Sequence, residues 1–272
     1  MSTEQEKIKE LVKERYGARA ERVINLTPVE LEHNVDGDGG CGCSTDGACC
    51  GVEDLDHAML LYNEGQLAGL PTESIAASAG CGNPTALAGL QPGERVLDLG
   101  SGGGIDCFLA SQQVGETGHV TGLDMTPAML ELARANKAKL GIDNVEFVQG
   151  EMEKMPIPDA TVDVIISNCV VCLSPDKDAV FSESFRVLAP GGRIHLSDVM
   201  ALTTDGPSVS SPEDWVSCTA GAEHVDVYRD RLVRAGFTNI EFTSESADYK
   251  KNDPERPPTN TAGYKVVAHK PT

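Results

Sequence analysis

From residue 94 onward the chain alternates short apolar runs with longer amphipathic ones, and this alternation limits what it can fold into. ERVLDLG, HVTGLDM, NVEFVQG, VDVIISN and GRIHLSDV read as buried strands, short and rich in β-branched residues. IDCFLASQQV, PAMLELARANKAKL (with Pro127 at its start) and DAVFSESFRVL read as helices between them. Strands joined through helices require right-handed crossovers, so the expected class is α/β, a doubly wound and mostly parallel sheet. After residue 200 come EDWVSCTAGA, a helix VDVYRDRLVRAG, and two strand-like pieces, NIEFTSES and GYKVVAHK. These pieces bring the sheet to seven strands and give it an antiparallel C-terminal edge.

The chain ahead of this unit is different in kind. Ile8, Leu11, Val12 and Tyr16 fall at helical spacing among charges, which predicts an amphipathic helix over residues 4–22. Residues 35–51, VDGDGGCGCSTDGACCG, are too rich in Gly and Asp for helix or strand, and they carry Cys41, Cys43, Cys49 and Cys50 on a loop. A short helix is expected around residues 53–64, and LPTESIAASAGCGNP then leads in through Cys81. The division is therefore residues 1–70 for the N-terminal helix, Cys-rich loop and lead-in helix, and residues 71–272 for the main domain. Within the latter, residues 201–272 complete the sheet edge and ADYKKNDPERPPTNTAG reads as a loop.

Charge narrows the functional classes. With 22 Lys and Arg against 42 Asp and Glu, net −20, the chain cannot present the basic surface that phosphate binding needs, so no nucleic-acid partner is expected. A salt-rich setting and a plain charge-rich solvated surface both account for that excess. No stretch approaches the roughly 18 apolar residues of a membrane span, and the charged N-terminus has no secretory pattern, so a cytoplasmic, membrane-independent protein is expected. In that compartment nine cysteines point to metal binding or thiol chemistry, and their odd number leaves at least one outside any intrachain pairing.

The first strand runs into DLGSGGGIDC, where Gly100, Gly102 and Gly104 let the backbone turn sharply and approach a ligand at a helix N-terminus. A glycine-rich turn alone is equally a structural device. Asp124, at the end of the second strand, adds a carboxylate placed to accept both hydroxyls of a ribose, which implies an adenosine-bearing cofactor.

The turn lacks the spacing of nicotinamide enzymes, and its D-x-G-x-G-x-G pattern resembles motif I of class I S-adenosylmethionine-dependent methyltransferases, a likeness spanning residues 94–200. The resemblance implies a Rossmann-like methyltransferase sheet that binds S-adenosylmethionine. It assigns Asp98 to the methionine amino group, Gly100, Ser101, Gly102 and Gly104 to the cradle, and Asp124 with Met125 to the ribose end. Glu151 would accept from the adenine N6 amine, Met152 would give backbone and apolar contact, and Asn168 would line the same site.

Cys169 follows the fourth strand, where ligands of open α/β sheets sit. A thiol aimed at the methyl group suits a soft acceptor atom held by sulfur. GCGNP, DLGSGGGIDC, SNCVV-LSPDK and W-x-x-C-x-x-G-A together resemble the arsenite methyltransferases of the short microbial type, over residues 62–236. That resemblance implies trivalent arsenic as acceptor and Cys81, Cys169 and Cys218 as the thiolates that hold it and act in catalysis, with Cys49 and Cys50 as further candidate ligands. The arsenic lone pair would attack the sulfonium methyl carbon, and no general base is required. A thioredoxin-like protein or small thiol is implied as reductant. Cys172 departs from the family pattern, which has asparagine there, and reads as a core residue or a spare thiol near the site.

Other readings remain open at this stage. Cys107 reads as a small buried hydrophobe, and His119 and His195 as structural residues. The CGCSTDGACC cluster fits zinc binding, arsenic capture, a disulfide relay or an exposed loop. A small-molecule C- or O-methyltransferase acting on a quinone, sterol or phenol would share the cofactor motifs, yet leaves the thiols unexplained in a chain only 4% aromatic. A non-enzymatic metalloid-sequestering protein would explain the thiols but not the glycine turn together with Asp124 and Glu151.

Overall fold

The computed structural model of the chain describes residues 3–25, 58, 61–80, 82–83, 89–206, 215, 218–245 and 260–272. The expected Cys-rich loop, the helix around 53–64, Cys81 and the loop at 247–259 lie wholly or mostly outside the described residues.

Helix α1 (Thr3–Ile24) is followed by two short helices, α2 (Glu64–Leu67) and α3 (Thr72–Ala76). The sequence pattern did not mark α2 and α3 because each is too short to show a period. Their starts have local causes: Asn63 and Gln66 form a reciprocal capping box on α2, and the Ser74 hydroxyl donates to Pro71 O at 2.8 Å on α3.

The main unit runs β1 (Arg95–Leu99), α4 (Ile105–Val114), β2 (His119–Asp124), α5 (Pro127–Leu140), β3 (Val145–Gln149), β4 (Val162–Asn168), α6 (Lys177–Val187), β5 (Leu188–Ala201), α7 (Val225–Ala235), β6 (Thr238–Glu245) and β7 (Thr261–His269). The seven strands form one sheet in the order β3-β2-β1-β4-β5-β7-β6. β1 to β5 are parallel, and β7 pairs antiparallel with both β5 and β6. The expected doubly wound sheet with an antiparallel C-terminal edge is therefore present.

Alternation along the strands builds two cores. Val96, Val120, Val164 and Ile166 face α4 and α5, while Leu97, Leu99, Ile165 and Leu196 face α6 and α7. Both faces are covered, which is why these strands read as continuous apolar runs and not as a period of two. α1 joins the first core through Ala20 and Val23, and Arg19 is buried with its guanidinium donating to the carbonyls of Ala76, Ala77 and Ser78. This clamp lays α1 across the carboxyl ends of the strands.

Candidate active site

At the end of β1 the chain turns through three positive-φ glycines, Gly100 (69°), Gly102 (50°) and Gly104 (92°). The close approach is needed as well: a Cβ on Gly100 would lie 2.6 Å from the Val170 side chain. Asp124, ending β2, accepts from the backbone amides of Gly102 at 2.9 Å and Thr126 at 2.8 Å. Burial raises the pKa of its carboxyl, and those amides offset part of the rise.

Above the turn lies a cavity bounded by α1 through Lys9, Val12 and Tyr16. Of the cofactor residues expected from sequence, Gly100, Ser101, Gly102, Asp124, Met125, Met152 and Asn168 line it. Asp98, Gly104 and Glu151 are not among its lining residues. Asp98 is buried and accepts from the Cys107 thiol at 3.2 Å, so Cys107 is more than the inert hydrophobe expected of it. Glu151 is engaged by Lys9 at 2.8 Å, and this ion pair holds its carboxyl below the usual range.

Asp106 is the cavity-facing acid on the Asp98 side, and sequence reasoning missed it. It accepts from the Tyr62 hydroxyl at 2.9 Å and the Asn168 amide at 3.3 Å, while burial lifts its pKa to about 6. Asn168 also brackets the GCG segment, donating to Gly82 O at 2.7 Å and accepting from Gly82 N at 3.1 Å. A Cβ on Gly80 would fall 2.2 Å from the Asn168 amide nitrogen, so the glycine before Cys81 is a packing requirement. Cys81 itself is outside the described residues.

The thiol end begins where β4 stops. Cys169 has φ of 61°, an uncommon conformation for a side-chain-bearing residue, and its amide donates to Ser197 O at 2.7 Å. The chain then closes into a 3₁₀ turn, Val171–Leu173, which carries Cys172 back so that its Sγ lies 3.6 Å from Cys169 O. Cys218 arrives from the segment after β5, with its Sγ 3.8 Å from the same carbonyl and 4.0 Å from the Tyr16 hydroxyl. The sulfurs of Cys169, Cys172 and Cys218 all lie within 4.8 Å of one another. Cys169 also lines the cavity, which places one thiol of the group in the same space as the glycine turn.

Hydrogen bonds from the Cys169 and Cys172 thiols draw the Cys218 pKa well below the ordinary value. Cys172 is raised: its hydrogen bond with Cys169 acts downward, but the charge-bearing Cys218, burial and Asp198 outweigh it. Asp198, on β5, was also missed from sequence. It is buried, accepts from the Tyr228 hydroxyl at 3.2 Å, and has its pKa lifted to about 6 by burial. The signal available was its place at the carboxyl end of a strand. His195 is held neutral, its pKa lowered to about 4 by burial, as a structural histidine would be.

The charge pattern sets an expected pH profile. An ordinary thiol, with pKa about 8.5, loses its nucleophilic form on acidification through pH 8. Alkylation of Cys218 by iodoacetamide, followed on its peptide by mass spectrometry, is expected to stay fast through neutral pH and slow only at lower values. A rate that falls about threefold from pH 9 to pH 8 and about tenfold for each further unit would show an ordinary thiol.

Residues 90–236 match the family model described as "Methyltransferase domain", more than half of the chain. The chain is thus a member of the methyltransferase-domain family. The crystal structure of CrArsM, an arsenic(III) S-adenosylmethionine methyltransferase from Chlamydomonas reinhardtii, superposes with a TM-score of 0.62 at 38% identity, covering 76% of this chain and 72% of that one. An arsenite methyltransferase of Halobacterium salinarum is 43% identical over 90% of this chain and 61% of its own length. One from Aquipseudomonas alcaligenes is 37% identical over 71% of this chain and 56% of its own length. Within the methyltransferases, the chain belongs to the arsenite methyltransferase family. It spans less than two thirds of the length of these two curated relatives.

Proposed function

We propose that this chain transfers a methyl group from S-adenosylmethionine to trivalent arsenic held by cysteine thiolates, Cys169 and Cys218 among them, giving methylated arsenicals and thereby detoxifying the metalloid. The observation that carries the reading is that Cys169, whose sulfur lies within 4.8 Å of that of Cys218, lines the cavity that also holds the glycine turn and Asp124. The quinone-type alternative offers no use for those thiols.

The cavity fits the donor. The hydroxyl of Ser101 is buried there with no partner among the described residues, and a Cβ at Gly102 would meet nothing within 4 Å, leaving room for a ligand against the backbone. When bound, S-adenosylmethionine supplies an electrophilic methyl on a positively charged sulfur. The chain supplies position: Asp124 offers carboxylate oxygens to the ribose, α1 excludes water, and the thiolates present the acceptor at the methyl end. As(III) carries a lone pair and no proton, so no side chain need act as base at the transfer step. Arsenic is formally oxidised to the pentavalent state there. Two protein thiols returning the electron pair would end as a disulfide, which a thioredoxin-like protein or small thiol of the cytoplasm restores. Among the described residues, no helix is long and apolar enough to cross a membrane.

The test is product analysis after incubation with arsenite, S-adenosylmethionine and a thiol: methylated arsenic is expected. Its absence, with turnover of a quinone or phenol instead, would replace this reading. Asp124→Ala is expected to weaken S-adenosylmethionine binding by roughly 10- to 100-fold. Each ribose hydrogen bond lost is charge-assisted and worth about 1.5–3 kcal/mol, so that range is the minimum expected, and calorimetric titration measures it. Unchanged affinity would place the ribose elsewhere.

A further inference from the structure

Cys172 stands where the family pattern has asparagine, and the structure brings its sulfur to the other two. Thiolates that share one zinc-sized centre at about 2.3 Å each can lie no more than about 4.6 Å apart. Three sulfurs on one such centre lie closer still, about 4.0 Å apart in a trigonal plane and less around a pyramidal atom; those of Cys169, Cys172 and Cys218, mutually within 4.8 Å, reach that spacing through rotamer adjustments of up to about an ångström.

The backbone around them is fixed from three sides. The Cys169 amide is tied to β5 at Ser197, and the Trp215 indole donates to Leu173 O at 2.9 Å. Gly221 packs so tightly on the Cys172 carbonyl that a Cβ there would lie 1.9 Å from the oxygen. Because Gly221 is three residues from Cys218, this contact holds Cys218 to the Cys172 turn.

The surroundings of Cys172 also differ from those of a thiol that only fills space. Its Sγ is within hydrogen-bonding reach of the Asp198 carboxylate, which Tyr228 and the Val199 amide, at 3.0 Å, hold in place. Lys177, buried nearby, donates to Ser174 O at 3.0 Å and lies over the Trp215 ring. A polar shell that fixes a ligand's direction is a usual companion of metal-binding side chains.

We propose that Cys172 is a direct sulfur ligand of the metalloid, so that Cys169, Cys172 and Cys218 form a complete three-sulfur seat and Cys81 is not needed for the binding step. This rests on the reading of trivalent arsenic as the substrate. Loading arsenite exchanges three As–O bonds for three As–S bonds and releases three waters. Each departing hydroxide leaves as water with one proton, taken from the incoming thiol or, where that ligand is already a thiolate, from solvent, and arsenic stays trivalent throughout.

The experiment uses the full chain with Cys41, Cys43, Cys49 and Cys50 changed to serine, which removes the loop sulfurs, and sodium arsenite without the methyl donor. Arsenic K-edge absorption counts the sulfurs. The emission of Trp215, the chain's sole tryptophan, reports affinity. Adding Cys81→Ser is expected to leave three As–S bonds and unchanged affinity. Adding Cys172→Ser to that variant should leave two As–S bonds and weaken binding by roughly tenfold or more. Cys172→Ala repeats the test without a buried hydroxyl, and melting temperature and cofactor binding check the fold. The inference is overturned if Cys81→Ser alone lowers the count to two, or if three sulfurs survive loss of Cys172. It falls together with the arsenic reading only if the loop-serine parent binds no arsenite at all.

Discussion

Cys218→Ser is expected to abolish arsenite methylation while S-adenosylmethionine affinity stays within about twofold. The Cys218 pKa is drawn well below the ordinary value by hydrogen bonds from the Cys169 and Cys172 thiols, which favours its thiolate as a ligand. A serine hydroxyl there is a hard, protonated oxygen that a soft centre has little affinity for. The loss in turnover should exceed the roughly 10- to 100-fold that removing an outer-shell partner costs a metal site. Cofactor affinity is insulated because the residues proposed for the ribose and cradle, Asp124 and Gly100 to Gly104, sit at the ends of β1 and β2, apart from the Cys218 segment. Cys169→Ser should behave alike. Equilibrium titration with the methyl donor and a product assay separate the two quantities, and normal turnover in either variant would remove that thiol from the chemistry.

The second large effect is expected at a residue that touches no ligand. Gly221→Ala would put a methyl group 1.9 Å from the Cys172 carbonyl oxygen and 3.2 Å from the Trp215 ring. Neither the oxygen nor the carbonyl carbon behind it, 3.0 Å from that methyl, can rotate away, so the segment carrying Cys218 must lift off the Cys172 turn. Overpacking of this kind costs about 1–3 kcal/mol. The larger consequence is at the site: parting the sulfurs should abolish arsenite binding while the glycine turn still takes the methyl donor. Thermal melting and arsenite titration of this variant test it together, and an unchanged melting temperature with full arsenite affinity would show that the close packing is not required.

Some of this was readable before any coordinates. The helices α4, α5, α6 and α7 and the strands β1 to β7 follow from apolar runs and periodicity, because a sheet covered on both faces forces continuous hydrophobic strands. Gly100, Gly102 and Asp124 were readable from spacing along the chain, since a βα turn and the next strand end are close in sequence as well as in space. Asp106, two residues past the turn, was missed because a carboxylate at the start of a helix reads as ordinary dipole compensation. Only its neighbours Tyr62 and Asn168, from distant segments, mark it as part of the cavity. Asp98 was assigned to the cofactor from its motif, yet it accepts from Cys107 and is not among the lining residues. Side-chain direction at a strand end is set by packing, which the motif does not encode.

The sequence by itself determined the sheet, the place of the cofactor turn within it, and that several thiols stand near the ends of elements. Those follow from interactions short in sequence: hydrophobic period, glycine at positive φ, a helix start after a strand. Which sulfurs meet was decided only in three dimensions. Cys172 and Cys218 are far apart along the chain, and what joins them is the absent side chain of Gly221, the Trp215 hydrogen bond to Leu173 and the positive φ of Cys169. Likewise the spacing in α1 foretold a helix, but its Arg19 clamp on residues 76–78 is what lays Lys9 and Tyr16 over the cavity. Long-range packing of this kind depends on the exact shape of both partners, and a pattern of residue types along one segment carries no record of the other.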